Sequence, residues 1–329
     1  MERINVGVIG CGGRGRLYSK LSRNIPQIHL YAYADIKESS AKACLEEFGG
    51  EYYTTEVDRI FVDPRIDAVI ISTWHDTHTK YAIQAAKAGK HILIEKPLAL
   101  TIEECDEIGE AVEKAGVKLM VCFKMRFIPM VQKTKELIPK PILLMGQMVD
   151  ARWSDDVWSQ KPEVGGGNVI SQGCHTVDLL CYLADSEPSV VYAEGGALTH
   201  PGSEVIDNIV GTIKFKNGVI ASIIQGDCGL NNFTSKFFIE IFAGERGATL
   251  YNRCHDVMFW GIEPIHLQAE TYTEESRIDP EGDLVLLKAF VNYVLRDDSS
   301  VPRWQDGKRA TVIINKLFEA IKTGLPQRI

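Results

Sequence analysis

What this chain lacks narrows the field first. Its 329 residues hold no apolar run approaching the roughly 20 that a membrane-spanning helix needs. No block of lysine or arginine stands out, and the formal net charge is −8, so neither nucleic acid nor an anionic membrane is an expected partner. Eight cysteines are present, but no two form a Cys-x-x-Cys pair. Zinc-finger spacings and thioredoxin-type redox motifs therefore cannot be assembled, and no metal is expected. The cysteines are scattered through mostly apolar stretches and read as reduced, buried thiols of a cytoplasmic protein. Only Met1-Glu2-Arg3 precede the first apolar stretch, too little for a secretory signal. There is no internal repeat and no low-complexity tract.

What is there reads as a soluble globular protein, 24% charged and 45% hydrophobic, long enough for two domains. Ile4 to Gly10 is a short apolar strand that runs into Gly10-Cys11-Gly12-Gly13-Arg14-Gly15, and a helical stretch from Leu17 to Arg23 follows. Strand, Gly-x-Gly-x-x-Gly and helix in that order make a dinucleotide-binding turn. Gly10 permits the bend, Gly12 lets the backbone approach a pyrophosphate, and Gly15 lets helix pack on strand. The helix start offers free N–H groups to the phosphates. A second strand, Ile28 to Ala34, ends at Asp35, twenty residues past Gly15, where a carboxylate accepts hydrogen bonds from the adenosine ribose. The same carboxylate repels a 2′-phosphate, which favours NAD over NADP.

The alternation continues. Glu38 to Phe48 is a helix, Asp67 to Ser72 a buried strand followed by the loop Thr73 to His78, and a further helix ends at Ala88 with Gly89 as its left-handed cap. Ile92-Leu93-Ile94-Glu95-Lys96-Pro97 then reads as a strand covered on both faces and stopped by proline. Glu95 and Lys96 thus stand at the carboxyl end of a core strand, the edge where open α/β sheets bind ligands. Thr101 and Glu104 form a capping box for a helix to Ala115, and Val117 to Phe123 is another strand. Such repeats demand a parallel, doubly wound sheet.

Beyond Phe127 a period of two takes over. Ile142 to Trp153, Val191 to Leu198, Ile206 to Phe215, Val219 to Gln225, Phe237 to Phe242 and Ala248 to Asn252 read as strands, and Lys216-Asn217-Gly218 as a tight hairpin whose Asn-Gly takes positive φ angles. Asn168 to Ala184, Leu284 to Leu295 and Lys308 to Thr323 read as helices. On the first of these, Ser171, His175 and Asp178 share one face at spacings of four and three. The organisation expected is 1–122 for the nucleotide domain and 123–329 for a substrate-binding and oligomerisation domain.

Gly10-x-Gly12-x-x-Gly15, Ala88-Gly89-Lys90-His91, Glu95-Lys96-Pro97 and Arg126-Phe127-x-Pro129 together resemble the Gfo/Idh/MocA oxidoreductases over nearly the whole chain. The resemblance implies a Rossmann domain followed by an α+β domain with a large, open, mainly antiparallel sheet. It implies an NAD-dependent enzyme passing a hydride between nicotinamide and a secondary alcohol of a sugar, cyclitol or sugar derivative. Catalytic roles fall on Lys96 and His175, with Ser171 standing where the family usually has Asp. A serine relays a proton but cannot hold charge. The implied cofactor contacts are Gly10, Cys11, Gly12, Gly13, Arg14, Gly15, Asp35, Ser72, Thr73, Trp74, His78, Glu95 and Lys96, and the implied substrate contacts are Lys96, Arg126, Trp153 and His175. Two rivals remain open at this point. One is a redox-neutral glycosidase, epimerase or lyase that oxidises its sugar transiently, and the other is a non-catalytic NAD-binding sensor. Specificity is expected from loops 154–164, 228–235 and 255–275. An exposed sheet face usually gets covered, so a homo-oligomer, dimer or tetramer, is expected.

Overall fold

A computed structural model describes residues 2–230 and 235–329. Two compact units make up the chain, Met1–Cys122 with Asp283–Lys308, and Phe123–Gly282 with Arg309–Ile329.

The first unit is built on β1 (Ile4–Ile9), α1 (Gly13–Ser22), β2 (Ile28–Ala34), α2 (Glu38–Phe48), β3 (Tyr52–Thr54), α3 (Asp58–Val62), β4 (Ala68–Ile71), α4 (His78–Lys87), β5 (His91–Ile94), α5 (Ile102–Ala115) and β6 (Leu119–Val121). All six strands are parallel, in the order β3-β2-β1-β4-β5-β6. That order reverses beside β1, so the crevice outside the carboxyl ends of β1 and β4 is where a dinucleotide belongs. Strands β4 and β5 read as continuous apolar runs because helices cover both faces of a parallel sheet, and Ala68, Val69, Ile70, Ile71, Leu93 and Ile94 are all buried. Thr101 caps α5 by accepting from the Glu104 N–H, and Glu104 answers to the Thr101 N–H. Gly116, at φ +67°, closes the same helix. The short β3 and α3 were not expected. Three strand residues and a five-residue helix carry too little period to register.

The second unit runs through α6 (Pro129–Leu137), β7 (Leu143–Val149), α7 (Gly167–Ala184), β8 (Pro188–Gly196), β9 (Asn208–Phe215), β10 (Ile220–Gly226), β11 (Phe237–Phe242), β12 (Gly247–Tyr251), β13 (Asp256–Trp260), β14 (His266–Gln268) and α8 (Glu274–Ile278). The chain then gives α9 (Asp283–Arg296) to the first unit, continues in α10 (Trp304–Thr323), and ends in β15 (Gln327–Arg328). Among the described residues nine strands lie in the order β14-β13-β12-β11-β7-β10-β9-β8-β15, and only β7 with β10 pair in parallel. Helix α7 packs on the central strands β7, β9 and β10. The opposite face leaves Val210 59%, Met258 49% and Trp260 37% exposed.

Four expectations need correction. The second domain does not keep 283–308. Asp283 binds Arg14, the Lys118 ammonium donates to the Val294 carbonyl at 2.9 Å, and Gly109 lies against the Trp304 ring, so this segment completes the first core. The loop expected over 255–275 holds strands β13 and β14. In the 215–219 hairpin only Gly218 takes a positive φ, +93°, as in a three-residue loop whose last residue is left-handed, and Asn217 does not. Cys228 is exposed, whereas the other seven cysteines are buried, and all eight are free thiols. Residues 231–234 of the expected specificity loop 228–235 lie outside the described residues. Among the described residues no helix is long and apolar enough to cross a membrane.

Candidate active site

The nucleotide site starts from sterics at three glycines. Gly10 has φ +90°, and a Cβ there would lie 2.6 Å from the Ser72 carbonyl oxygen. A Cβ on Gly15 would lie 1.9 Å from the Gly10 carbonyl oxygen, a backbone atom that cannot move aside. Gly12 differs, because a Cβ there would meet nothing within 4 Å. Two glycines therefore close the turn on itself, and one opens it outward. The first helical bond of α1 runs from the Arg16 N–H to the Gly12 carbonyl at 3.0 Å, so the N–H groups of Gly13, Arg14 and Gly15 precede the ladder and suit an anion. The Ser72 hydroxyl, donating to the Gly10 carbonyl at 2.8 Å, ties the turn to the end of β4.

A cleft of about 260 Å³ opens beside this turn, lined among others by Gly10, Gly12, Asp35, Ser72, Thr73 and Trp74. Asp35 accepts from the Cys11 N–H at 2.7 Å on one oxygen and from the Lys37 N–H at 2.8 Å on the other. A carboxylate offers about four lone-pair sites, so it keeps capacity for a ribose diol. The Cys11 thiol is turned inward toward the Ala34 carbonyl. A dinucleotide fits this shape: open backbone at the helix start, a carboxylate at the end of β2, and apolar walls between.

Three expected cofactor contacts are placed otherwise. Arg14 does not reach out to a pyrophosphate. Its Nε donates to Glu95 Oε1 at 2.6 Å, and its Nη2 to Asp283 Oδ1 at 2.5 Å and to the Tyr18 hydroxyl. Glu95 accepts from Arg14, from Tyr18 at 2.6 Å and from the Lys96 N–H at 3.1 Å, so its oxygens serve the protein. Burial alone would raise this carboxyl, but Arg14, Lys96 and the Tyr18 hydroxyl outweigh it and hold Glu95 well below the usual carboxylate range. His78 is fully buried, Nδ1 2.8 Å from the Pro97 carbonyl and Nε2 3.3 Å from the Thr73 carbonyl. Burial lowers its pKa, so the ring is neutral and donates through Nδ1, pinning the residue after Lys96. Lys96 itself is half-buried just past the end of β5. Glu95 and His78 fix the backbone on either side of it.

In the second unit, α7 is buried along almost its full length. His175 is 4% and Ser171 4% exposed, one turn apart, and the His175 ring meets Phe123 edge-on at 6.1 Å. The third residue of the face is occupied. Asp178 takes both arms of the Arg126 guanidinium, Nε to Oδ2 at 2.8 Å and Nη2 to Oδ1, so Arg126 is committed to an ion pair rather than open to a substrate oxygen. Trp153 is held by its backbone N–H to Asp227 at 3.0 Å and by its indole N–H to Asp150 at 3.1 Å. Sequence reasoning missed the residues that hold these groups. Tyr18 and Asp283 behind Arg14, and Asp227 behind Trp153, carry no motif.

Residues 4–123 match the profile of the "Oxidoreductase family, NAD-binding Rossmann fold", and residues 140–241 that of the "GFO/IDH/MocA C-terminal domain". The chain belongs to the Gfo/Idh/MocA oxidoreductase family. Its first unit is accordingly an NAD-binding Rossmann domain, and the protein is an NAD-dependent oxidoreductase. Among named relatives of this Gfo/Idh/MocA chain, the levoglucosan dehydrogenase of Pseudarthrobacter phenanthrenivorans is 31% identical, over 77% of this chain and 74% of that one. The myo-inositol 2-dehydrogenase of Thermotoga maritima is 26% identical over 94% of each. A solved levoglucosan dehydrogenase in complex with NADH and levoglucosan superposes with TM-score 0.89 over the whole of both chains at 22% identity, which establishes the shared fold.

Proposed function

We propose that this enzyme oxidises a secondary alcohol of a sugar, cyclitol or related polyol, using NAD. The observation that carries the reading is Lys96. It stands immediately beyond core strand β5, in the unit that holds the nucleotide cleft, on backbone fixed by buried Glu95 and His78. The relatives named as levoglucosan and inositol dehydrogenases supply the substrate class.

NAD, when bound, supplies the hydride acceptor at C4 of the nicotinamide. Gly12, the N-terminus of α1, Asp35, Thr73 and Trp74 would hold it. Asp35 favours the unphosphorylated ribose through charge repulsion of a 2′-phosphate. The Lys96 ammonium donates to the alcohol oxygen and stabilises the charge that develops there. His175 would take the hydroxyl proton as general base and become an imidazolium, and the bound NAD would supply the acceptor for the carbinol hydrogen and its electron pair, leaving a ketone. The Ser171 hydroxyl, one turn from His175, can pass a proton but holds no charge. Trp153 offers an indole face to a sugar ring.

The test is single-turnover NADH formation on a polyol and glycoside panel with Lys96→Ala and His175→Ala. Each should lose at least about 100-fold in rate, the usual worth of a positioned acid–base group. Wild-type rates in both variants, or wild-type turnover without net NADH, would sink the assignment. The proposal extends to a cytoplasmic homo-oligomer closed over the open sheet face, since eight free thiols fit a reducing compartment and Val210, Met258 and Trp260 need cover. Light scattering of wild type against Val210→Lys checks the second point, with the variant expected at lower mass.

A further inference from the structure

His200 lies in the β8–β9 connection, where no motif marks it, and it is 6% exposed. Asp207, fully buried just before β9, shapes that connection. Its oxygens accept the Leu198 N–H at 2.8 Å and the His200 N–H at 2.7 Å. The imidazole so placed stands between two carboxylates. Nδ1 is 2.5 Å from Asp155 Oδ1, and Nε2 is 2.7 Å from Asp227 Oδ2.

Carboxylate oxygens only accept, so each ring nitrogen carries a hydrogen and the ring is an imidazolium. A proton shared between Nε2 and Asp227 belongs on the imidazole, the stronger base. Asp227 is 0% exposed, and among the described residues His200 is the cation paired with it. A buried carboxylate without such a partner is costly, so each charge keeps the other in place. Charged groups face the ring from three elements: Asp155 and Arg152 from the loop before α7, Asp227 from the end of β10, and Asp207 from the start of β9. Burial works against the charged ring, and Arg152 does so weakly. The hydrogen bonds to Asp227 and Asp155 outweigh both and raise the His200 pKa above its ordinary value of about 6.5. The neutral Gln160 amide lies 2.9 Å from Nε2, and a half-turn offers the ring proton a second acceptor.

What these bonds hold is the stretch that carries Trp153. The Trp153 N–H donates at 3.0 Å to Asp227 Oδ2, the same oxygen that takes one ring proton. Asp155, two residues on, takes the other. We propose that His200, as an imidazolium between Asp155 and Asp227, is the positioning residue for Trp153, so that sugar binding weakens when the ring gives up its proton. The sugar part rests on the reading of Trp153 given above, whereas the clamp itself does not. A neutral ring turns a lone pair toward one of the two carboxylates, and Asp155, 66% exposed, can swing away into water. A cleft of about 370 Å³ lined by Arg152, Asp155, Gln160 and His200 gives the proton its way out. Because the folded value is raised, the clamp is complete below about pH 6.5 and is lost as pH rises through that folded value.

The experiment uses the full chain. The His200 ring carbons, identified by their absence in His200→Gln, are titrated by NMR from about pH 5.5 to 9. Amide hydrogen exchange of the peptide around Trp153, and the steady-state constants for levoglucosan and myo-inositol, are followed over the same range. The ring should titrate above about 6.5. Exchange, corrected for its intrinsic pH dependence, and the KM for sugar should both rise about fivefold or more across that midpoint. The KM for NAD should not move with it, and kcat should follow His175 instead. Asp155→Asn, altered at an exposed position, should shift the titration, exchange and KM midpoints together to lower pH. If His200→Gln does not fold by circular dichroism, that shift makes the assignment. A midpoint at or below about 6.5 overturns the proposal, as does a raised midpoint that exchange and sugar KM ignore. Midpoints unmoved in Asp155→Asn overturn it too. If neither sugar turns over, the titration and the exchange decide the clamp by themselves, and the missing NADH counts against the alcohol reading instead.

Discussion

The two units handle their ligand chemistry by opposite means. In the first, the working surface is backbone: the open Gly12, the N–H groups starting α1, and a turn closed by Gly10 and Gly15. In the second, the surface we propose is made of side chains drawn from separated elements: His175 and Ser171 on α7, and Trp153 held by Asp227. A backbone site is specified by what a few adjacent residues cannot be. A side-chain site is specified by what distant residues happen to meet, so substrate choice can change there without touching the cofactor half.

The largest effect should come from breaking the backbone site. Gly15→Ala forces a Cβ to 1.9 Å from the Gly10 carbonyl, so the turn must open; NAD binding should be lost, and stability should fall by about 3 kcal/mol or more. Gly12→Ala adds a methyl to open space, so its melting temperature should match wild type while NAD binding weakens about tenfold as the phosphate approach is blocked. Calorimetry with NAD and thermal denaturation, run on both variants, separate the two effects. Equal destabilisation of the two would contradict the division between closing and opening glycines.

The second unit should break through charge. Asp178 is 2% exposed and takes the Arg126 fork, so Asp178→Asn removes a carboxylate charge from beside a mostly buried guanidinium. Removing one partner of a buried pair costs about 3–5 kcal/mol. Urea denaturation should show that loss, and Arg126→Met in the same background should recover part of it by removing the unbalanced positive charge. No recovery would mean that the helix needs the pair's geometry more than its neutrality.

The same contrast explains what the sequence disclosed. Strand β2, helices α2 and α5, the Thr101 capping box and the Gly116 cap follow from local period and steric need, and each is legible within a dozen residues. The glycine turn was legible for the same reason. The partners of the Arg14 side chain were not legible because Glu95 and Asp283 are 81 and 269 residues away, and nothing local distinguishes a buried arginine from one reaching a phosphate. The partner of Arg126 was hidden likewise, with Asp178 52 residues on. Asp178 had been assigned a face with His175, which is correct for the helix, but a face does not say who is opposite. The transfer of 283–308 to the first unit has the same origin, since an amphipathic helix declares that it has a buried stripe without declaring against what.

The smallest effect tests whether Arg14 and Glu95 form a true buried pair, as Arg126 and Asp178 do. Glu95 is depressed in the folded state, so its contribution is complete above the unfolded carboxyl pKa of about 4.3 and disappears as pH falls toward the folded value. The unfolded chain takes up its proton first, and stability must therefore decline on acidification. A single group contributes at most about 1.4 kcal/mol per pH unit, so between pH 5 and 3 wild type should lose about 1–2 kcal/mol more than Glu95→Gln, which has no proton to bind. Unfolding free energies of the two proteins across that range give the difference directly. Parallel curves would show that Glu95 titrates alike in both states, and that Lys96 stands on a strand end held by packing rather than by charge.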